Sequence, residues 1–169
     1  RHSMVVCHHL TSQILVEMND VTQALANSDK AIEIATKLSG EDQTNTGFRR
    51  MLAQCYYSRA DALEVAERFA DALASYRQYA AIAEELSAAD PKNVNALIDR
   101  SFAYWQIGRL LLKTEDKSGA VEYLRRSLDI RRSVYDADPG NVYKRGILIE
   151  CMGMIVRAYA QAGNISAAL

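Results

Sequence analysis

The sequence predicts an all-α solenoid of helix hairpins, and three observations support this prediction. Similar residues recur every 48 positions, as in Ala24-Leu25, Ala72-Leu73, Ala120-Val121 and Ala168-Leu169. Polar linkers recur at the same step, as residues 42–45, 90–93 and 138–141. The 169 residues include only two prolines and eight glycines, and strong helix formers occur in every segment. A period of about 20–50 residues is typical of proteins in which each repeat buries its apolar face against its neighbours.

The apolar pattern predicts the helices in chain order. It places them at about 4–18, 20–39, 45–66, 70–89, 93–114, 117–137 and 141–162, with 165–169 beginning an eighth. In the central linker, Pro91 disfavours helical geometry at Asp90, and Asn93 can cap the next helix. Short polar turns join the two helices of each hairpin, namely Asn19-Asp20, Glu67-Arg68, Glu115-Asp116 and Gly163-Asn164.

Four positions of the repeat carry a pattern of side-chain size. In each repeat a large residue is followed after four positions by a mostly small one, then by a second large one and by the recurring alanine. The first large residues are His8, Tyr56, Tyr104 and Met152. The mostly small residues are Ser12, Ala60, Gly108 and Val156, and the second large ones are Leu15, Leu63, Leu111 and Tyr159. This pattern resembles the tetratricopeptide repeat. The resemblance implies a right-handed solenoid, a TPR-like superhelix of about seven helices, whose first helices line a concave groove. Val156 is large for its position, so we expect the last pair to pack more loosely.

The resemblance covers the whole chain, which we expect to be one domain, 1–169. Its repeats would be at about 1–44, 45–92, 93–140 and 141–169, the first and last truncated. The family's usual repeat has about 34 residues, so a period of 48 indicates a long variant with about two more turns per helix. Long arrays with such linkers are similar to those attached to bacterial serine/threonine kinases, which implies a signalling context. We expect the chain, which begins at Arg1, to be an excised fragment.

Charge and hydropathy exclude several classes of partner. The net charge of −1 gives no overall attraction to nucleic acid, and no apolar run reaches the roughly 20 residues that span a bilayer. We therefore expect a cytoplasmic protein without nucleic-acid or membrane partners. The charge is unevenly spread, because residues 1–90 hold 8 Lys and Arg against 13 Asp and Glu, whereas residues 91–169 hold 12 against 8. This polarity could orient a charged partner or favour head-to-tail contacts, or it could be chance.

No catalytic constellation is present, so we expect a non-enzyme that needs no cofactor and no metal. Kinase motifs, phosphate loops and nucleophile elbows are absent from the sequence. Cys7, Cys55 and Cys151 share one repeat position and are interpreted as small core residues. Consecutive helical residues point about 100° apart, so Cys7-His8-His9 does not form a chelating set. We expect His8 in the core and His9 facing outward.

Two charged clusters are interpreted mainly as solvated surfaces. The carboxylates Glu84-Glu85 and Glu115-Asp116 lie at a helix end and in a turn. The basic run Arg125-Arg126 with Arg131-Arg132 lies on a second helix, which in the family faces outward. A contact with phosphate or with an acidic partner is the alternative for the basic run.

The candidate binding residues lie on the first helices. Just after the large core residue stand His9, Tyr57, Trp105 and Gly153, and four residues later stand Gln13, Asp61, Arg109 and Arg157. Residues four apart share a helix face. We expect Tyr57, Asp61, Trp105, Arg109 and Arg157 to bind a protein or peptide, since Trp, Tyr and Arg are common interface anchors. Alternatively, Trp105 packs between hairpins and the charges are merely solvated. The family's carboxylate clamp uses Lys and Asn at such positions, so a chaperone-tail adaptor is disfavoured.

Three hypotheses follow for function. The first is a non-catalytic scaffold that binds a peptide or partner domain in its concave groove. The second is a regulatory segment of a larger bacterial signalling enzyme such as a serine/threonine kinase. The third is self-association through the solenoid ends, because Met152, Ile155 and Tyr159 would lack part of a covering helix.

Overall fold

The computed structural model describes residues 1–163, and these residues form seven α-helices. The helices are α1 (His2–Glu17), α2 (Val21–Glu41), α3 (Thr46–Val65), α4 (Phe69–Ala89), α5 (Val94–Lys113), α6 (Lys117–Asp136) and α7 (Val142–Gln161). The all-α class is confirmed, and every boundary agrees with the sequence prediction to within two residues. The eighth helix expected at 165–169 lies outside the described residues.

Polar side chains start most of these helices. The N-cap residues Asp20, Asn45, Asn93, Asp116 and Asn141 each accept a hydrogen bond from the backbone N–H three residues on, at 3.0–3.2 Å. Such a cap satisfies a backbone donor that has no partner inside the helix. The last residue of each repeated linker therefore serves the same purpose in all three copies.

A residue with left-handed backbone geometry follows the first helix of each repeat. Asn19, Glu67, Glu115 and Gly163 have φ values of 60°, 57°, 67° and 73°. These four residues are spaced at steps of 48, so the turn geometry repeats with the sequence. Glycine adopts this conformation freely, whereas Glu67 and Glu115 adopt it against a steric penalty.

The first compact unit comprises residues 1–86, and its boundary falls inside α4. In this unit α1 and α2 form a hairpin on which α3 packs. The centre contains five buried side chains from these helices, namely Val5, Ala31, Ala35, Leu38 and Cys55. Ser12 donates from Oγ to the carbonyl of Ala24 at 2.9 Å, so the paired small positions of the repeat bring α1 and α2 together.

The second compact unit begins at Ser87. Here α5 and α6 form a hairpin, and α7 packs on α6. A Cβ atom at Gly108 would lie 2.7 Å from Leu124 Cγ, so the small residue is required by the close approach of α5 and α6. Ser127 adds a hydrogen bond from Oγ to the carbonyl of Ser101 at 2.7 Å. Val156 is exposed, and its expected partner Ala168 lies outside the described residues.

The three cysteines do not share one environment. Cys55 and Cys151 are buried, as predicted, and burial raises the pKa of the Cys55 thiol to about 12 and also raises that of Cys151. The prediction for Cys7 was wrong, because this residue is exposed. Cys55 packs against α1 and α2, whereas within residues 1–163 no helix covers the face of α1 that carries Cys7.

Candidate functional site

A cleft of about 260 Å³ lies between α1 and α3 in the first unit. It is lined by His2, Val6, His9, Gly47, Arg50, Met51 and Gln54. All of these residues belong to the first helices of two successive hairpins. The lining combines apolar surface, an arginine and an amide, and it contains no carboxylate.

His9 is a residue whose placement the sequence prediction missed. It is half-buried in the cleft, with Nδ1 2.8 Å from Ser58 Oγ on α3, and does not face outward. His9 is partly buried because α3 packs beside α1. This burial lowers the pKa of His9, because the charged form loses hydration. His8 is also half-buried, with Nδ1 2.9 Å from Asn27 Oδ1 on α2.

Tyr57 and Asp61 are brought together through α4. The Tyr57 ring lies 6.2 Å from that of Tyr76 and 5.9 Å from that of Tyr79, both on α4. The Tyr76 hydroxyl donates to Asp61 Oδ1 at 2.6 Å. Tyr57 and Asp61 are half-buried, so each presents part of its surface while α4 fixes its orientation.

Trp105 and Arg109 form a second cluster, in the other unit. The Arg109 Cζ atom lies 5.8 Å from the centroid of the Trp105 ring, and the guanidinium also donates through Nε to Gln106 at 2.9 Å. Phe102 stacks with Trp105 at 6.0 Å. Both Trp105 and Arg109 are half-buried, and the Trp105 Nε1 atom has no hydrogen-bond partner among the described residues. Arg157 lies exposed on α7 of the same unit.

Arg131 is buried, which corrects the interpretation of the basic run as a solvated face. Its side chain is 1% exposed; Nη1 donates to the carbonyl of Ile147 at 2.6 Å and lies 3.4 Å from Glu150 Oε2. Its Cζ atom lies 5.7 Å from the Trp105 ring centroid, so the ring has arginines of two helices near it. The sequence contains a signal of this burial, because Arg131 lies seven residues after buried Leu124 and three before buried Val134, which places it on the same face of α6.

The other charged residues of these clusters are exposed. Arg126 pairs with Glu122 at 2.6 Å, and Arg125 lies over the ring of Tyr159. Glu85 pairs with Arg49, and Asp116 caps α6. None of these pairs forms an enclosed polar site.

No group of three or more His, Cys, Asp or Glu side chains is placed to hold a metal ion within residues 1–163. In the same range, no helix combines the length and the apolar character needed to cross a bilayer.

Sequence comparison assigns one segment to a known family. Residues 103–134 match the model of the tetratricopeptide repeat family, and this segment includes Trp105, Arg109 and Arg131. Comparison of the sequence with curated proteins gives no match.

Solved structures share the fold over nearly the entire chain. The apo form of RapI is 14% identical over 98% of this chain and 52% of its own, with a TM-score of 0.72. BtubC (BKLC) from P. vanneervenii is 17% identical over 97% of this chain and 58% of its own, with a TM-score of 0.72. A putative kinesin light chain of P. anserina with nearly identical TPR-like repeats is 14% identical over 99% of this chain and 71% of its own, with a TM-score of 0.71.

These likenesses confirm the resemblance seen in the sequence and the all-α repeat fold. The chain spans only 52% and 58% of the first two of these structures. The description as a long variant of the kinase-attached kind, the single domain and its repeat bounds stay predictions.

Proposed function

We propose that this tetratricopeptide-like helical repeat is a non-catalytic scaffold that binds a peptide or partner domain on the first helices of its hairpins. The cleft between α1 and α3 carries this proposal, because its lining comes only from first helices. At about 260 Å³ it is smaller than the roughly 300–1,000 Å³ of typical small-molecule sites. Its size therefore suits one or two side chains of a peptide better than a cofactor.

The lining indicates which peptide side chains fit. Val6 and Met51 offer apolar contact, while Arg50 and Gln54 offer donors to a carboxylate. Met side chains adapt to differently shaped partners. We therefore expect a peptide with an apolar residue next to an acidic one in this cleft.

The second unit offers an anchor of its own at Trp105 and Arg109. The cation–π contact and the hydrogen bond to Gln106 restrain Arg109, so less side-chain freedom is lost when a partner binds. Trp and Arg are enriched among residues that dominate binding energy. Tyr57 and Asp61 in the first unit and Arg157 in the second are proposed to take part in binding.

The test is calorimetric titration with a peptide selected from a displayed library on the native protein. Trp105→Ala, Arg109→Ala and Met51→Ala are compared with Arg132→Ala, a matched control because Arg132 is exposed on a second helix. A true anchor costs on the order of 1–3 kcal/mol of binding free energy. Equal affinities for all four folded variants would refute the assignment.

A regulatory role within a larger signalling enzyme is the second candidate. It rests on the 48-residue period and the recurring polar linkers, which are similar to those of arrays attached to such kinases. Sequencing of the reading frame upstream of Arg1 tests this candidate, since the absence of a catalytic domain there would contradict it. A cytoplasmic location belongs to the same proposal, and fractionation with an antibody to the chain tests it.

A further inference from the structure

Arg131 occupies a repeat position that holds a buried alanine in the two preceding copies. Shifted back by 48 and by 96 residues, it corresponds to Ala83 and Ala35, and all three residues are at most 1% exposed. A guanidinium at this core position loses its hydration, which is costly unless partners replace the lost water. A buried ion pair is often no more stabilising than an apolar side chain of similar volume. The arginine therefore indicates a task other than stability.

The contacts of Arg131 correspond to the lining of the cleft between α1 and α3. Its Nη1 atom donates to the carbonyl of Ile147 and lies near Glu150, and its Cζ atom lies 5.7 Å from the centroid of the Trp105 ring. Shifted by 96 residues, three residues of the cleft correspond to these three contacts: His9 to Trp105, Met51 to Ile147 and Gln54 to Glu150. The guanidinium of Arg131 thus lies where the first unit has its cleft.

The size of this one side chain distinguishes the two units. In the first unit, Met51 packs against the buried cluster that contains Ala35, and alanine has no atoms beyond Cβ that could reach into the cleft. In the second unit, the side chain of Arg131 extends from α6 to both α5 and α7. The first unit therefore offers a recess to a partner, whereas the second offers the half-buried ring of Trp105.

Three side chains restrain the Trp105 ring. Phe102 stacks on it at 6.0 Å, and the Arg109 Cζ atom lies 5.8 Å from its centroid. Of the three, only Arg131 comes from another helix, and its hydrogen bond to the carbonyl of Ile147 ties its guanidinium to α7. A ring that is restrained before binding loses less conformational freedom when a partner arrives.

We propose that Arg131 is a positioning residue for binding at Trp105. It fills the place of a second cleft and holds the indole ring as a rigid anchor. Because its side chain is only 1% exposed, Arg131 acts through the ring and does not touch the partner. This inference rests on the proposed function, in which Trp105 contacts the partner.

The first test measures the motion of the ring in the unliganded chain. Trp105 is the only tryptophan in the sequence, so tryptophan fluorescence reports on it alone. Arg131→Met keeps an apolar side chain but removes the charge and the hydrogen bond. Arg132→Met is the matched control, because Arg132 is the next residue of α6 and is exposed. We expect time-resolved anisotropy to show faster ring motion in Arg131→Met than in the native chain and the control, and equal motion in all three would overturn the proposal.

The second test measures binding in a double-mutant cycle. The probe is a peptide that is selected from a displayed library on the native chain and whose affinity falls in Trp105→Ala. We expect Arg131→Met to weaken its binding about two- to tenfold, the cost of ordering one side chain, and Arg132→Met to leave it unchanged. In the Trp105→Ala background, Arg131→Met should change nothing, because Arg131 acts through the ring.

The outcomes separate this inference from the proposed function. A library that yields no peptide sensitive to Trp105→Ala refutes the anchor itself, and the inference falls with it. With such a peptide in hand, native affinity in Arg131→Met overturns the inference alone, as does a loss that persists in the Trp105→Ala background.

Arg131→Lys provides a conservative variant that retains the cation. We expect it to bind the peptide more tightly than Arg131→Met and less tightly than the native chain, because lysine lacks the planar fork of arginine. Binding no tighter than that of Arg131→Met would contradict a role for the cation. If circular dichroism shows that Arg131→Met does not fold, Arg131→Lys replaces it in both tests, with smaller effects expected and the same results overturning the proposal.

Discussion

Gly108 is the residue at which the close packing of the hairpin can be tested most directly. An added Cβ would meet Leu124 Cγ at 2.7 Å, Leu124 Cδ2 at 3.1 Å and the Ala120 carbonyl at 3.2 Å. Leu124 is fully buried, so its side chain has little room to move aside. Gly108→Ala is therefore expected to force α5 and α6 apart or to strain Leu124.

The magnitude follows from two opposing contributions. Inserting a methyl group into a tightly packed contact costs about 1–3 kcal/mol. Replacing glycine by alanine inside a helix returns roughly 1 kcal/mol through helix propensity. We expect a net loss of up to about 2 kcal/mol in the free energy of unfolding.

Gly153→Ala is the matched control, because Gly153 lies within α7 of the same unit and a Cβ there would meet nothing within 4 Å. This variant gains the same propensity without the clash, so the difference between the two variants isolates the packing cost of about 1–3 kcal/mol. Urea unfolding followed by circular dichroism measures it. Equal stability of the two variants would refute the close approach of the helices at Gly108.

Three further predictions concern a cap, a histidine and the thiols. Asn93→Ala removes the acceptor of the Ala96 N–H, so urea titration should show a free energy of unfolding that is lower by about 0.5–2 kcal/mol. Asn95→Ala, at an exposed position in the same helix, should leave the free energy of unfolding unchanged. The pKa of His9 lies below 6.5 in the folded chain, so the unfolded chain binds the proton first as the pH falls through about 6.5. The free energy of unfolding should therefore fall as the pH drops below about 6.5 and stay constant above that pH. A His9→Gln chain that shows the same fall would contradict this prediction. Cys55, with a pKa of about 12, should not react with maleimide at pH 8 until urea unfolds the chain, whereas the exposed Cys7 should react at once. Equal labelling rates of Cys55 and Cys7 in the native state would show that Cys55 is not buried.

The helices could be predicted because their signals are local. The Asn93 cap and the turn at Glu115 depend on residues within a few positions of one another, and the 48-residue period repeats such local signals along the chain. The close approach at Gly108 was also accessible, since a small residue recurs at the same place in three of the four copies. Repetition turned single ambiguous residues into a consistent pattern.

The contact partners of individual polar residues could not be predicted in the same way. Arg131 is buried because α7 provides the Ile147 carbonyl and α5 provides the Trp105 ring, and both are distant in sequence. His9 is half-buried because Ser58 of the next hairpin reaches it. For Tyr57 and Asp61, the contacts with α4 depend on aromatic residues of a second helix, whereas the sequence argument considered only their own helix.

The left-handed turns are sites at which substitution can raise the thermal stability of the chain. Glu67 and Glu115 hold φ values of 57° and 67° that asparagine adopts at lower cost, as Asn19 does at the equivalent turn. Exchanging both glutamates for asparagine should raise the melting temperature by a few degrees, from roughly 0.5–1 kcal/mol per site. Neither glutamate lines the cleft, so this exchange should raise the thermal stability of the chain and leave the candidate binding residues of the cleft unchanged.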